Sequence, residues 1–156
     1  MLKGLLKTKL FDQLKNLLKQ GLTPSELALV FSIGFSLGLF PVLGIHALIC
    51  TGVALLFRLN LIAIQVAHSL AFPFQIFLFI PFLRFGEMVI GKELGTISKD
   101  MIFAAFNEGL LYTFQVFSEY LLFACLGWLL LITPIFFIIY LPLLKIVQWF
   151  FIKSPS

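Results

Sequence analysis

Apolar residues fill this chain in long runs, and the polar positions fall between them as punctuation. Thirty-one residues from Leu27 to Phe57 carry no charge, as do twenty-five from Leu59 to Leu83 and twenty-five from Tyr120 to Leu144. One membrane-crossing helix needs about twenty apolar residues. The third run is the clearest single span, with Lys145 and Lys153 after it and Trp149 as an interfacial anchor. The first run is too long for one span and too short for two spans with a polar turn. Pro41 and Gly44 lie in its middle. A proline costs a helix interior about 3 kcal/mol and a glycine about 1. The pattern predicts arms over 24–40 and 42–57, each about 25 Å long at 1.5 Å per residue. A hairpin that enters the apolar layer and returns fits this pattern better than one tilted span. Peptide groups freed at such a turn need protein or a water-filled cavity around them. The second run carries Pro73 and Pro81. It reads either as a kinked span or as a second hairpin broken at Phe72-Pro73-Phe74.

The polar positions add caps and amphipathic faces. Leu10, Phe11, Leu14, Leu17 and Leu18 share an arc of about 120° at helical spacing, opposite Asp12, Gln13, Lys15, Asn16, Lys19 and Gln20. This predicts an amphipathic helix on a cytoplasmic lipid surface, with packing onto the protein's own membrane part as the alternative. Gly21 ends it, and Thr23-Pro24-Ser25-Glu26 forms a capping box that starts the next helix. Residues 84–100 are a polar loop with Arg84, Glu87, Lys92, Glu93, Lys99 and Asp100. Over 101–119, Glu108, Tyr112, Gln115 and Glu119 share one side, and Phe103, Phe106, Leu110, Phe114 and Phe117 the other. The expected divisions are 1–22 (amphipathic helix), 23–86 (broken membrane helices), 87–119 (polar loop and second amphipathic helix) and 120–156 (C-terminal span and tail).

Composition turns these runs into a statement about solvent. The chain is 61% apolar and 12% charged, with a mean hydropathy of +1.10. An ordinary soluble domain is about half apolar and a quarter charged. That excess does not fit inside a core of this size, so the expected solvent is lipid. The expected fold class is all-α: a small helical integral membrane protein with Pro/Gly-broken, re-entrant helices. The net charge of +4 comes from five lysines in the first twenty residues, a placement suited to anionic headgroups and not to nucleic acid. No apolar h-region follows those lysines, so no secretory signal is expected. If 24–57 returns and 59–83 spans, eight Lys and Arg share the N-terminal side and three the other. This predicts a multi-pass protein with a cytoplasmic N-terminus.

The stretch "GLTPSELALVFSIGFSLGLFPVLGIHALICTGVALLFRLN" (21–60), with its Pro41-x-x-Gly44-x-His46 and Arg58-x-Asn60 steps and the tail from Pro73 to Gly86, resembles bacterial membrane proteins labelled domain of unknown function 2062. The family pattern has Asn-Pro where this chain has Phe72-Pro73. The resemblance implies a small bacterial inner-membrane protein and carries no settled activity. Some relatives resemble fusions to a glycosyltransferase domain, which points toward lipid-linked sugar chemistry.

No nucleophile, metal or phosphate-loop motif stands in the sequence, so neither an enzyme nor a cofactor is expected. Cys50 and Cys125 are far apart and lack metal-like spacing. Two histidines without a visible third ligand do not define a metal site. Polar groups at membrane depth are more telling, because an ionisable residue there is expensive and marks a site by default. The candidate binding residues are Pro41, Gly44, His46, Arg58, Asn60, Gln65, His68, Gln75 and Arg84, with both arginines placed to meet a phosphate near the surface. The expected function is binding or translocating a lipid-like or lipid-linked anionic substrate. The alternative is a non-transporting anchor or scaffold for a cell-envelope enzyme. Expected partners are membrane lipids, further copies of the chain and, on the alternative, that enzyme.

Overall fold

The computed structural model describes residues 22–42 and 44–153, the last four by backbone alone. The amphipathic helix expected over 1–22 lies outside the described residues, apart from Leu22. Those residues form five helices and no strand: α1 (Pro24–Gly38), α2 (His46–Leu56), α3 (Leu61–Ile90), α4 (Lys99–Glu108) and α5 (Leu110–Lys153).

Local chemistry sets the helix ends. The Thr23 side chain accepts from Glu26 N, and the Glu26 carboxylate accepts from Thr23 N at 2.8 Å, which completes the capping box read from the sequence. Those bonds from Thr23 hold the Glu26 carboxyl below its ordinary value. The cap is therefore intact at neutral pH and is lost as pH falls through that lowered value. Asn60 caps α3 by accepting from Ala63 N at 2.9 Å. Between α2 and α3 the chain turns at Arg58, whose φ is +54°, while Leu59 N donates back to Ala54 O. That is a Schellman closure with arginine where glycine is usual.

α1 and α2 are the two arms of the expected break, and the chain doubles back between them. Leu27 and Val30 near the start of α1 pack in one cluster with Cys50 and Ala54 of α2, Ala63 and Ile64 of α3, and Val147 of α5. Small residues set the spacing. A Cβ on Gly34 would meet Ile64 and Ala67, and one on Gly38 would meet His68 and Ala71, so α1 runs parallel to α3 in close contact. Gly86 and Gly127 do the same for α3 and α5. A Cβ on the first would run into Phe123 O, and on the second into Phe82 O, so these helices run antiparallel. Close approach of this kind replaces the hydrophobic effect as the packing force between helices in lipid.

One end of the molecule, the near end, gathers the start of α1, the α2–α3 turn and the last turns of α5. The far end holds the α3–α4 loop, α4 and the start of α5. The tip of α1 lies beside His68 and Ala71, the eighth and eleventh residues of α3. At 1.5 Å per residue, that is about 10–15 Å up α3.

One open alternative closes, and one expectation changes. α3 runs unbroken through Pro73 and Pro81, so there is no second hairpin at Phe72-Pro73-Phe74. At the first break, proline is joined within three residues by Gly44 at φ +87°. α3 has no such companion. Its buried residues Ala71, Gln75, Phe82 and Leu83 are held by neighbouring helices, and such contacts sustain a lone proline in a helix. Second, residues 110–119 do not form a unit with 101–108. The helix breaks at Gly109 and then continues as α5 through Pro134 and Pro142.

The packing makes a sharp contrast between glycines. Gly86→Ala and Gly127→Ala push a methyl into backbone and should cost about 2 kcal/mol or more each. Gly52→Ala on α2 adds a methyl into open space and should gain about 0.5–1 kcal/mol. Thermal unfolding followed by helical circular dichroism in mild detergent compares them directly.

Candidate functional site

Breaking a helix frees peptide groups, and here other helices take them up. Leu39 N and Phe40 N turn back on Ser36 O and Leu37 O, tightening the last turn of α1. Ser36 O also accepts from Trp128 Nε1 of α5 at 3.2 Å. Phe40 O accepts from Gln75 Nε2 of α3 at 2.6 Å, and Gln75 is only 3% exposed. The Trp128 ring also stands edge-on to Phe40, with centroids 4.9 Å apart. On the α2 side, Gln65 Nε2 donates to Thr51 Oγ1 at 2.8 Å and to Ala47 O at 3.3 Å. Two polar atoms beside the break, Ser36 Oγ and Gln75 Oε1, are buried without a hydrogen-bond partner.

The break also brings the two histidines together. His46 opens α2, His68 lies on α3, and their ring centroids are 4.7 Å apart with a 46° tilt. Each turns Nδ1 toward a main-chain carbonyl: His46 to Val42 O at 3.5 Å and His68 to Gln65 O at 3.1 Å. A carbonyl only accepts, so in both contacts Nδ1 is the donor. α2 begins at His46, and its N-cap residue Ile45 makes no side-chain hydrogen bond to the first turn. Next to this, an open groove of about 510 Å³ runs along α3, lined by Leu61, Ile62, Gln65, Val66, Ser69 and Leu70.

Of the nine sequence candidates, Pro41, Gly44, His46, Gln65, His68 and Gln75 meet at or next to the break. The other three do not. Arg58 is exposed in the near-end turn and Asn60 caps α3 beside it. Arg84 sits at the far end, paired with Glu87 at 2.7 Å. Glu87 Oε1 also accepts from Leu94 N at 3.0 Å, and Tyr120 Oη donates to Leu94 O at 2.7 Å. With the Lys92–Glu119 pair, these contacts tie the α3–α4 loop to α5. Arg84 therefore holds a loop, and most of α3 separates it from Arg58, so no single phosphate meets both. Sequence reading passed over Ser36, Thr51 and Trp128. Trp128 had a visible signal: a ring with one polar N–H stands in the middle of an apolar run instead of at its edge.

These features define a small all-helical protein with two helices, Leu61–Ile90 and Leu110–Trp149, long and apolar enough to cross a membrane, built around a broken helix pair. The chain belongs to a family of uncharacterized proteins conserved in bacteria, DUF2062, whose profile matches residues 8–154. Comparison with curated proteins and with solved structures finds no significant match to either.

The Gln75–Phe40 bond carries a test of the break. Gln75→Leu keeps the volume but removes the donor, and an unsatisfied buried carbonyl costs about 1–3 kcal/mol. Denaturant or thermal unfolding should show that loss. Gln65→Leu, at a half-buried position, should cost less.

Proposed function

We propose that this protein is a multi-pass protein of the bacterial inner membrane that binds, and moves part-way across the bilayer, the anionic headgroup of a lipid-like or lipid-linked substrate. Its site is the His46–His68 pair at the tip of a re-entrant α1–α2 hairpin. The carrying observation is that two imidazoles face each other there, beside the uncapped start of α2.

Several features support the membrane reading. Bulky side chains point outward: Phe72, Ile76, Phe77 and Ile80 on α3, and Leu122, Leu129, Phe137 and Ile138 on α5. Alanine, glycine and serine fill the contacts between helices. Only 28% and 22% of the most apolar windows of the two long helices are buried, whereas the core helix of a soluble protein is mostly covered. The break lies about 10–15 Å up α3, near half of a hydrocarbon core about 30 Å thick. Arg58 and Lys145 stand at the near end, and the positive-inside rule, together with the five lysines in the first twenty residues, supports reading that end as cytoplasmic.

An anion at half depth needs donors. The first turn of α2, which has no side-chain cap, turns the positive end of its helix dipole to the break and supplies them. Gln65 and Ser69 give the groove a polar floor from the near end toward the histidines, while acyl or prenyl chains remain in lipid. Beyond Gln75, the next polar side chain on α3 is Arg84. Along α3 the polar side chains beside the groove thus lead toward the near end.

The test is reconstitution of the full chain with fluorescent anionic phospholipid and with a polyprenyl phosphate. His46→Ala and His68→Ala should each weaken binding about tenfold, equivalent to 1.4 kcal/mol. Unchanged binding in both removes the proposal. If instead a cell-envelope enzyme co-purifies stoichiometrically with both variants, the scaffold reading takes its place. Single cysteines at positions 42, 44 and 45, with Cys50 and Cys125 replaced by alanine, should react with a water-soluble maleimide from the near side. Failure to react from either side argues against a wetted tip.

A further inference from the structure

We propose that the His46–His68 pair takes up one proton with each anionic headgroup, so that binding at the break is proton-coupled and weakens as pH rises. The inference deepens the function proposed above and rests on it. The proton comes from the aqueous phase and returns there when the headgroup leaves.

The need for charge comes first. Holding an anion at membrane depth without a counter-charge is very costly, and a helix end offers only partial charge. The elements around the pair supply no ready cation. α2 packs against α1 and α3. α1 carries one charged group, Glu26, held in the capping box at its start. α2 carries no titratable side chain other than His46 and Cys50, and Cys50 packs with Leu27 and Val30. From Leu61 to Leu83, α3 carries none other than His68. α5, which packs on α1 and α3, has no charged side chain from Tyr120 to Leu144, and its Tyr140 stacks on Phe136. Arg58 and Lys145 are exposed at the near end, and Arg84 and Lys92 are paired at the far end. Among the described residues, only an imidazole can become a cation at the break.

The geometry of the pair then sets the count at one. Each Nδ1 donates to a main-chain carbonyl, Val42 O at 3.5 Å and Gln65 O at 3.1 Å. Both nitrogens of an imidazolium are donors, so a charged ring keeps that bond and neither ring has to turn. The ring centroids stand 4.7 Å apart. A charge on one imidazole at that spacing opposes a charge on the other, and the two rings titrate as a unit. An anion beside the rings favours the singly charged pair. By linkage, a proton on the pair favours the anion to the same extent. Histidine is the side chain that changes charge in the range of about pH 5–8, which is where the coupling is sought.

The experiment uses the full chain in nanodiscs of zwitterionic lipid, with any affinity-tag histidines removed. The probe is fluorescent phosphatidylglycerol, a phosphodiester whose single negative charge does not change over the range tested. One proton per anion makes the affinity fall by up to about tenfold for each unit of rising pH, and calorimetry in buffers of different protonation enthalpy should show that proton being taken up. A His46→Gln, His68→Gln double variant should bind more weakly and lose the pH dependence. Because a variant can misfold, nitrogen NMR of the wild type gives an independent reading. The chain has only two histidines, so labelled histidine reports the pair alone, and adding the lipid at neutral pH should turn one ring into an imidazolium. An affinity that stays level across the range, no proton uptake, or spectra in which both rings stay neutral or both become charged overturns the one-proton coupling and leaves the anion site standing. No lipid bound at any pH rejects the proposed function, and the coupling with it.

Discussion

The structure depends on how a broken helix satisfies its own backbone. Pro41 and Gly44 interrupt a thirty-one-residue apolar run, and the peptide groups they release lose their partners within the helix. Gln75 takes Phe40 O, Trp128 takes Ser36 O, and Gln65 takes Ala47 O. Each donor comes from α3 or α5. The break is therefore stable only inside the packed set of helices, and the long helices are held in place partly by serving it.

Close packing makes that arrangement reachable. The side chains of Gln75 and Trp128 are short compared with the spacing of helices separated by large residues. Gly34 and Gly38 bring α1 against α3, and Gly86 and Gly127 bring α3 against α5. Without those approaches, the carbonyls at the tip would lie beyond reach of any donor. Glycine at the contacts and phenylalanine outside are two sides of one solution: large apolar side chains stay on the surface, and van der Waals contact is concentrated where backbones touch.

The same break also makes the site. Doubling the chain back places the start of α2 beside the middle of α3, which sets His46 against His68. A continuous helix through 24–57 would have carried His46 far past His68. The three polar candidates left outside this meeting, Arg58, Asn60 and Arg84, have local duties. One sits in a left-handed turn, one caps α3, and one pairs with Glu87 to hold the loop that follows. Their residue types suit phosphate binding, but their positions do not converge.

Much was legible in the sequence because it is a matter of local physics. Hydropathy determined the helical class and the long apolar elements; Thr23-Pro24-Ser25-Glu26 determined where α1 starts; Pro41 with Gly44 determined where it stops. These signals act within a few residues and need no partner. Whether Pro73 and Pro81 would break their helix was not decided locally, since a lone proline is sustained or not by what packs around it. Nor were the merging of residues 110–119 into α5, the roles of Ser36 and Trp128, and the pairing of two histidines twenty-two positions apart. Those outcomes depend on which helix faces which, and at what distance. Only the tertiary structure sets that, because close contact between backbones is a property of two segments at once.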